Sequence, residues 1–209
     1  MADDKNQKTI ADYLGDMVAL ESHIEEALDR QLSLAKEHPQ AGAAVQRFHD
    51  MVKQNRDALK QYRQEVGTTA GNPIKEVGST VLGVAAGLID KIRTEGLSKA
   101  LRDDYTAFNH AAIGYTMLHT TALALGDQRT ADVAARGLRG YASAVQEINH
   151  LIAEVVIWEL QKDKHQLSNP LAASENRRVV DQIWKETAAS GLSDPTGGYS
   201  SPMEAGGAV

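Results

Sequence analysis

The chain has no cysteine among its 209 residues. Disulfides, thiolate zinc sites, iron–sulfur clusters and a cysteine nucleophile are therefore excluded. It has no surplus of positive charge: 22 Lys and Arg stand against 28 Asp and Glu, for a net charge of −6. Without a basic stripe, nucleic acid is not expected as a partner. It has no long apolar run. The longest, from Val81 to Ile89, is about half of what a membrane span needs, so a membrane is not an expected partner either. The N-terminus, MADDKNQKTIADYL, lacks a basic stretch followed by an apolar one. No secretory signal is expected, and the expected location is cytoplasmic. No segment alternates with period two, no internal repeat is present, and neither a Gly-rich phosphate loop after a strand nor a G-x-S-x-G elbow occurs.

What the chain does have is helical periodicity. Hydrophobic residues make up 42% and charged residues 24%, enough for a core of ordinary size. Between residues 101 and 163 two long helical patterns meet at Gly126-Asp127. On the second, Ala134, Leu138, Tyr141, Val145, Ile148, Ile152 and Val155 recur in alternating steps of four and three. Only a helix presents such a seam to one partner face. Gly126 suits the left-handed residue past a helix end, and Asp127 suits the next N-cap. So short a connection forces the two helices antiparallel.

Three more helices are predicted. The first starts at a Thr9 cap and runs to about residue 37, where His38-Pro39 stops it; its stripe is Ile10, Leu14, Met17, Glu21, Ile24, Leu28, Gln31 and Ala35. The second spans about 40–66, with Val45, Phe48, Val52, Asn55, Leu59, Tyr62 and Val66 on one side. The segment at 98–125 carries Leu101, Asp104, Phe108, Ala111, Tyr115, Leu118, Ala122 and Leu125. Its partner in the hairpin runs from 128 to about 163. Asn169-Pro170 caps a further helix to about 189, where Val179, Ile183 and Trp184 form an apolar edge suited to docking. The fold class is all-α: a four-helix bundle over 9–163 with an extra C-terminal helix in 164–190. Residues 1–8 are predicted to be a disordered N-terminus and 191–209 a mobile tail rich in Gly, Ser and Pro. Between the second and third bundle helices, 73–95 holds Gly78, Gly83 and Gly87 among small apolar residues. Glycine weakens an isolated helix, so this segment is predicted to be a short, tightly packed crossover helix or an oligomer contact in preference to an interfacial membrane helix. The long connection allows the helices it joins to lie parallel, as a ferritin-like topology requires.

Three stretches carry a resemblance. DMVALESHIEEAL in the first helix, with Asp16, Leu20, Glu21, Ala27 and Leu28, is similar to the opening helix of the YciE/YciF-like ferritin-like bacterial stress proteins. GLIDKI, Gly87 to Ile92, resembles that family's crossover helix, and IGYTMLHTTALALGD resembles the end of its third helix through Tyr115, Leu118, Thr120, Leu125 and Gly126. The resemblance covers about 9–160. It implies a bundle interior able to carry a di-iron site of carboxylates and imidazoles. Carried over residue by residue, it retains Glu21. The other ligand positions fall on Met51 and Asn55, on Phe108 and Ala111, and on Tyr141 or Gly140. Hydrophobic packing is expected in place of the site.

Other candidate ligands are few. Glu147 and His150 form a Glu-x-x-His, but the seam places them on the outer side of their helix. His119 flanks the third-helix seam and could join Tyr115 or Glu21. Glu21, a carboxyl on an apolar stripe, must be paired, hydrogen-bonded or protonated. Its candidate partners are Asn55, Tyr115, Tyr141, Arg56 and His119, and with Asn55, Tyr115 and Tyr141 it forms a predicted buried polar seam. The sequence therefore predicts a non-catalytic, stress-associated structural or interaction protein with no cofactor. It is expected to be a homo-oligomer, at least a dimer, with the glycine-rich crossover near the contact, and could have another protein partner. The alternative is a divergent iron-binding oxidase or ferroxidase built on Glu21, His119, Glu147 and His150.

Overall fold

The computed structural model describes residues 2–69 and 96–191, and every regular element among them is a helix. In chain order they are α1 (Ala2–Ala35), α2 (Pro39–Thr69), α3 (Leu97–Ala124), α4 (Gln128–Lys162) and α5 (Ala172–Gly191). The glycine-rich crossover and the C-terminal tail lie outside the described residues.

The turns form for local reasons. His38 ends α1 and starts α2, its Nδ1 accepting from the Ala41 amide at 3.2 Å. Pro39 then occupies the first helical position, where its missing N–H costs nothing. At the second hairpin Gly126 takes φ +79°. Asp127 caps α4 by accepting from the Thr130 amide at 2.9 Å and from its hydroxyl at 2.6 Å. Asn169 accepts from the Leu171 amide at 2.9 Å ahead of α5. α1 starts earlier than its sequence suggests. Lys8 bonds Asp12 one turn on at 2.8 Å, and the Thr9 hydroxyl donates to the Lys5 carbonyl, so Thr9 is inside the helix and does not cap it.

Cross-helix contacts give the directions. Gln31 meets Asp104 and Glu21 meets Tyr115, so α1 and α3 are antiparallel. Arg47 meets Glu147 and Tyr62 meets Asp127, so α2 and α4 are antiparallel as well. The two hairpins are antiparallel by their short turns. It follows that α2 and α3 run the same way, which is the ferritin-like arrangement.

Every residue of the α1 stripe is buried, from Ile10 to Ala35. On α4 the buried line differs from the periodic one. It runs Ala134, Gly137, Tyr141, Ala144, Ile148, Leu151, Val155. Leu138, Val145 and Ile152 are half-buried at its edge. Three of these positions are small, Ala134, Gly137 and Ala144, and at Gly137 the Tyr115 ring fills the space. Within the C-terminal unit, Val179, Ile183 and Trp184 are each more than half exposed. No helix among the described residues is long and apolar enough to cross a membrane.

Candidate functional site

Glu21 sits at the centre of the bundle with no exposed surface. α1 places it there because it occupies the stripe position between Met17 and Ile24. Both carboxyl oxygens are occupied: the Tyr115 hydroxyl donates to Oε1, and the Tyr141 hydroxyl donates to Oε2 at 2.5 Å. The two phenols come from α3 and α4, so one carboxyl ties three helices together. Burial pushes its pKa up to about 7, against the opposing pull of the two tyrosine hydroxyls and the Asn55 amide. Asn55 faces the carboxyl and favours its charged form, but its Nδ2 completes no hydrogen bond. Burial and the adjacent Glu21 raise both phenols far above their ordinary value, so they act as donors.

Packing fixes this clamp. Phe48 and Phe108 meet edge-on with centroids 5.2 Å apart, Phe108 and Tyr141 at 5.4 Å, and Tyr141 and Tyr115 at 5.8 Å. Gly137 makes the clamp possible. A Cβ there would lie 2.3 Å from the Tyr115 ring, so only glycine lets the ring cross α4. At Gly140 a Cβ would lie 2.8 Å from the Met51 sulfur. Neither glycine role is visible as apolar periodicity; the signal available in the sequence was a Gly-x-x-Gly inside an otherwise strong helix, which calls for a close approach.

A second buried carboxyl, absent from the candidates drawn from sequence, lies nearer the other end of the bundle. Asp104 on α3 accepts from the Gln31 side-chain amide at 2.8 Å. Its Oδ2 and the Gln31 Oε1 are both buried without a hydrogen bond. Burial is the main cause, with Asp103 adding to it, of a pKa raised to about 7. Both residues stand on the stripes read from sequence, where their polarity was the missed signal.

The remaining candidates are dispersed. Arg56 pairs with Glu25 and with Asp57 at 2.8 Å, and not with Glu21. His119 is half-buried on α3 and takes no part in the hydrogen bonds to Glu21. Glu147 is half-buried and pairs with Arg47 across the α2–α4 face, and His150 is exposed. Among the described residues no group of three or more His, Cys, Asp or Glu is placed to hold a metal ion. A di-iron centre needs several carboxylates and imidazoles converging from the helices. Here one carboxyl converges with two phenols, an amide and aromatic rings. This donor set does not fit such a centre.

The family comparison covers the same region. A family model described as a domain of unknown function (DUF892) matches residues 5–160, which is all four bundle helices and the crossover between them. No curated protein and no solved structure matches the chain. With the match spanning well over half of its length, the chain belongs to the DUF892 family.

Proposed function

We propose that this chain is a non-catalytic ferritin-like bundle of the YciE/YciF-like stress-protein type, acting in the cytoplasm as a structural or interaction protein. One observation carries the reading. Both oxygens of Glu21, the residue that matches the family's helix 1 carboxylate, are taken by the Tyr115 and Tyr141 hydroxyls. A metal would have to displace both phenols and would find Met51, Phe108 and Ala111 where further ligands are needed. The carboxyl then serves as a polar pin: it fixes the register of α1 against α3 and α4, as single buried polar residues do in coiled coils. The link to stress rests on the sequence resemblance alone.

The test is the iron content of protein purified from iron-supplemented cells. The reading calls for far less than one iron per chain, unchanged in Glu21→Ala. Near-stoichiometric iron that disappears in Glu21→Ala would support the divergent oxidase or ferroxidase instead.

A further inference from the structure

A phenol gives up an electron readily only as its proton leaves, because the radical cation left behind is a very strong acid. In water the proton goes to solvent. Tyr115 and Tyr141 are fully buried, so theirs needs an acceptor inside the core. Glu21 is in place: each phenol hydroxyl already donates to one of its oxygens, Tyr141 at 2.5 Å. The charge balance favours the transfer. With Glu21 ionised, the three side chains carry one buried negative charge. Once a phenol has lost an electron and passed its proton to Glu21, they carry none, and burial penalises charge. The stepwise route is closed, because burial and the adjacent carboxyl keep either phenol from ionising first. Electron and proton therefore leave the phenol together.

We propose that Glu21, Tyr115 and Tyr141 form a one-electron redox site that needs no metal. A one-electron oxidant at the bundle surface, an oxidising radical or a high-potential metal complex, takes an electron from one phenol. The phenol O–H bond breaks as its proton forms an O–H bond to a carboxyl oxygen of Glu21. The products are a neutral tyrosyl radical, a neutral Glu21 acid and the oxidant reduced by one electron. The electron crosses about one helix diameter, ~10 Å, short enough for tunnelling. The radical stays at the site. Phe108 packs on Tyr141 at 5.4 Å and Phe48 on Phe108, and a benzene ring is far harder to oxidise than a phenol. Tyr62 also donates to a carboxyl, Asp127 Oδ1, but at 3.3 Å, and the same oxygen already accepts from the Thr130 amide. The proposal goes beyond the register-fixing role of Glu21, and the iron measurement tests that role separately.

Metal-free, full-length protein mixed with hexachloroiridate(IV) tests it, with the radical read by electron paramagnetic resonance. Wild type should give a persistent tyrosyl signal. Tyr115→Phe and Tyr141→Phe should each keep it, since one phenol still meets Glu21, and the double variant should lose it. Glu21→Gln keeps the side-chain shape without the base, and should slow formation of this radical about a hundredfold with unchanged far-ultraviolet circular dichroism. A merely structural role for Glu21 would leave that rate unmoved. Heavy water should slow the reaction of wild type, a measurement that needs no substitution. A double variant with the signal of wild type overturns the proposal, because the radical then lies on other side chains. So does a wild type without a tyrosyl signal, a folded Glu21→Gln that reacts as fast as wild type, or equal rates in light and heavy water.

Discussion

Glu21 and Asp104 are two carboxyls in one bundle core, both raised to about 7 by burial, yet their surroundings are opposites. Glu21 meets two hydroxyl donors, one on each oxygen. That environment suits an ionised carboxylate, and burial, with a smaller push from the Glu25 charge, opposes it. Asp104 meets one amide whose own oxygen is left without a donor. When ionised, Asp104 can only accept, and Gln31 Oε1 gains nothing. When protonated at Oδ2, it has a donor to offer. The same desolvation therefore acts on a site built for charge and on one built for a neutral acid. The first ties three helices at the position where relatives of the proposed type would hold metal; the second ties α1 to α3 away from it.

Substitutions at and around the two carboxyls separate their roles. Gly137→Ala should be the most destabilising. Helix propensity favours alanine by about 1 kcal/mol, but the new Cβ meets the Tyr115 ring at 2.3 Å. Because an aromatic ring between helices has nowhere to yield, net destabilisation of about 3 kcal/mol is expected in urea unfolding. A stabilised Gly137→Ala would mean that Tyr115 does not cross α4 as described.

Asp104→Asn comes next, with the opposite sign. A carboxyl whose folded pKa lies above its unfolded value makes the folded state bind the extra proton. Stability is then greatest below about pH 4, falls as pH rises to about 7 and is level above that. For Asp104 the loss is on the order of 4 kcal/mol. Asparagine carries no charge and offers a donor to Gln31 Oε1. Asp104→Asn should therefore be more stable than wild type at pH 8 by most of that loss and nearly equal to it at pH 4. Equal stability at both pH values would show that Asp104 is not held as a neutral acid.

Tyr115→Phe should be milder. It removes one donor from Glu21 and costs about 1.5 kcal/mol at pH 8, where the carboxylate is ionised, and less at pH 5. It also moves the Glu21 part of the stability loss to higher pH, because a bond to the charged form is gone. Glu147→Ala should do least. It breaks a partly exposed pair with Arg47, worth less than about 1 kcal/mol in thermal unfolding.

Much of this contrast was legible in the residues before the structure, though unevenly. The α1 stripe was fully legible because its steps of three and four are filled mostly by large residues, so Glu21 stood out as the interruption in a clear pattern, while Gln31 passed as one of its members. The α4 seam was misread at every second position. Gly137 and Ala144 face the core, but small residues carry little hydrophobic signal, and the neighbouring Leu138 and Val145 carried more. Asp104 was on its stripe yet passed over, since an acid near a helix start is more often solvated than buried. The partners of Glu21 could be narrowed but not chosen. Arg56 and the tyrosines are all long enough to reach it, and only the crossing of Tyr115 over Gly137 decides which do. The length of the chain between α2 and α3 permits their parallel run without requiring it, and only the cross-helix contacts fix it.

Tyrosine hydroxyls occupy both oxygens of the one carboxyl that a metal in the bundle core would need. Thermal unfolding of metal-free protein with and without added Fe²⁺ tests it most directly, because a ligand bound only by the folded state must raise the melting temperature. The account predicts the same melting temperature in both, in wild type and in Glu21→Ala. A rise of several degrees in wild type that is absent in Glu21→Ala would contradict it.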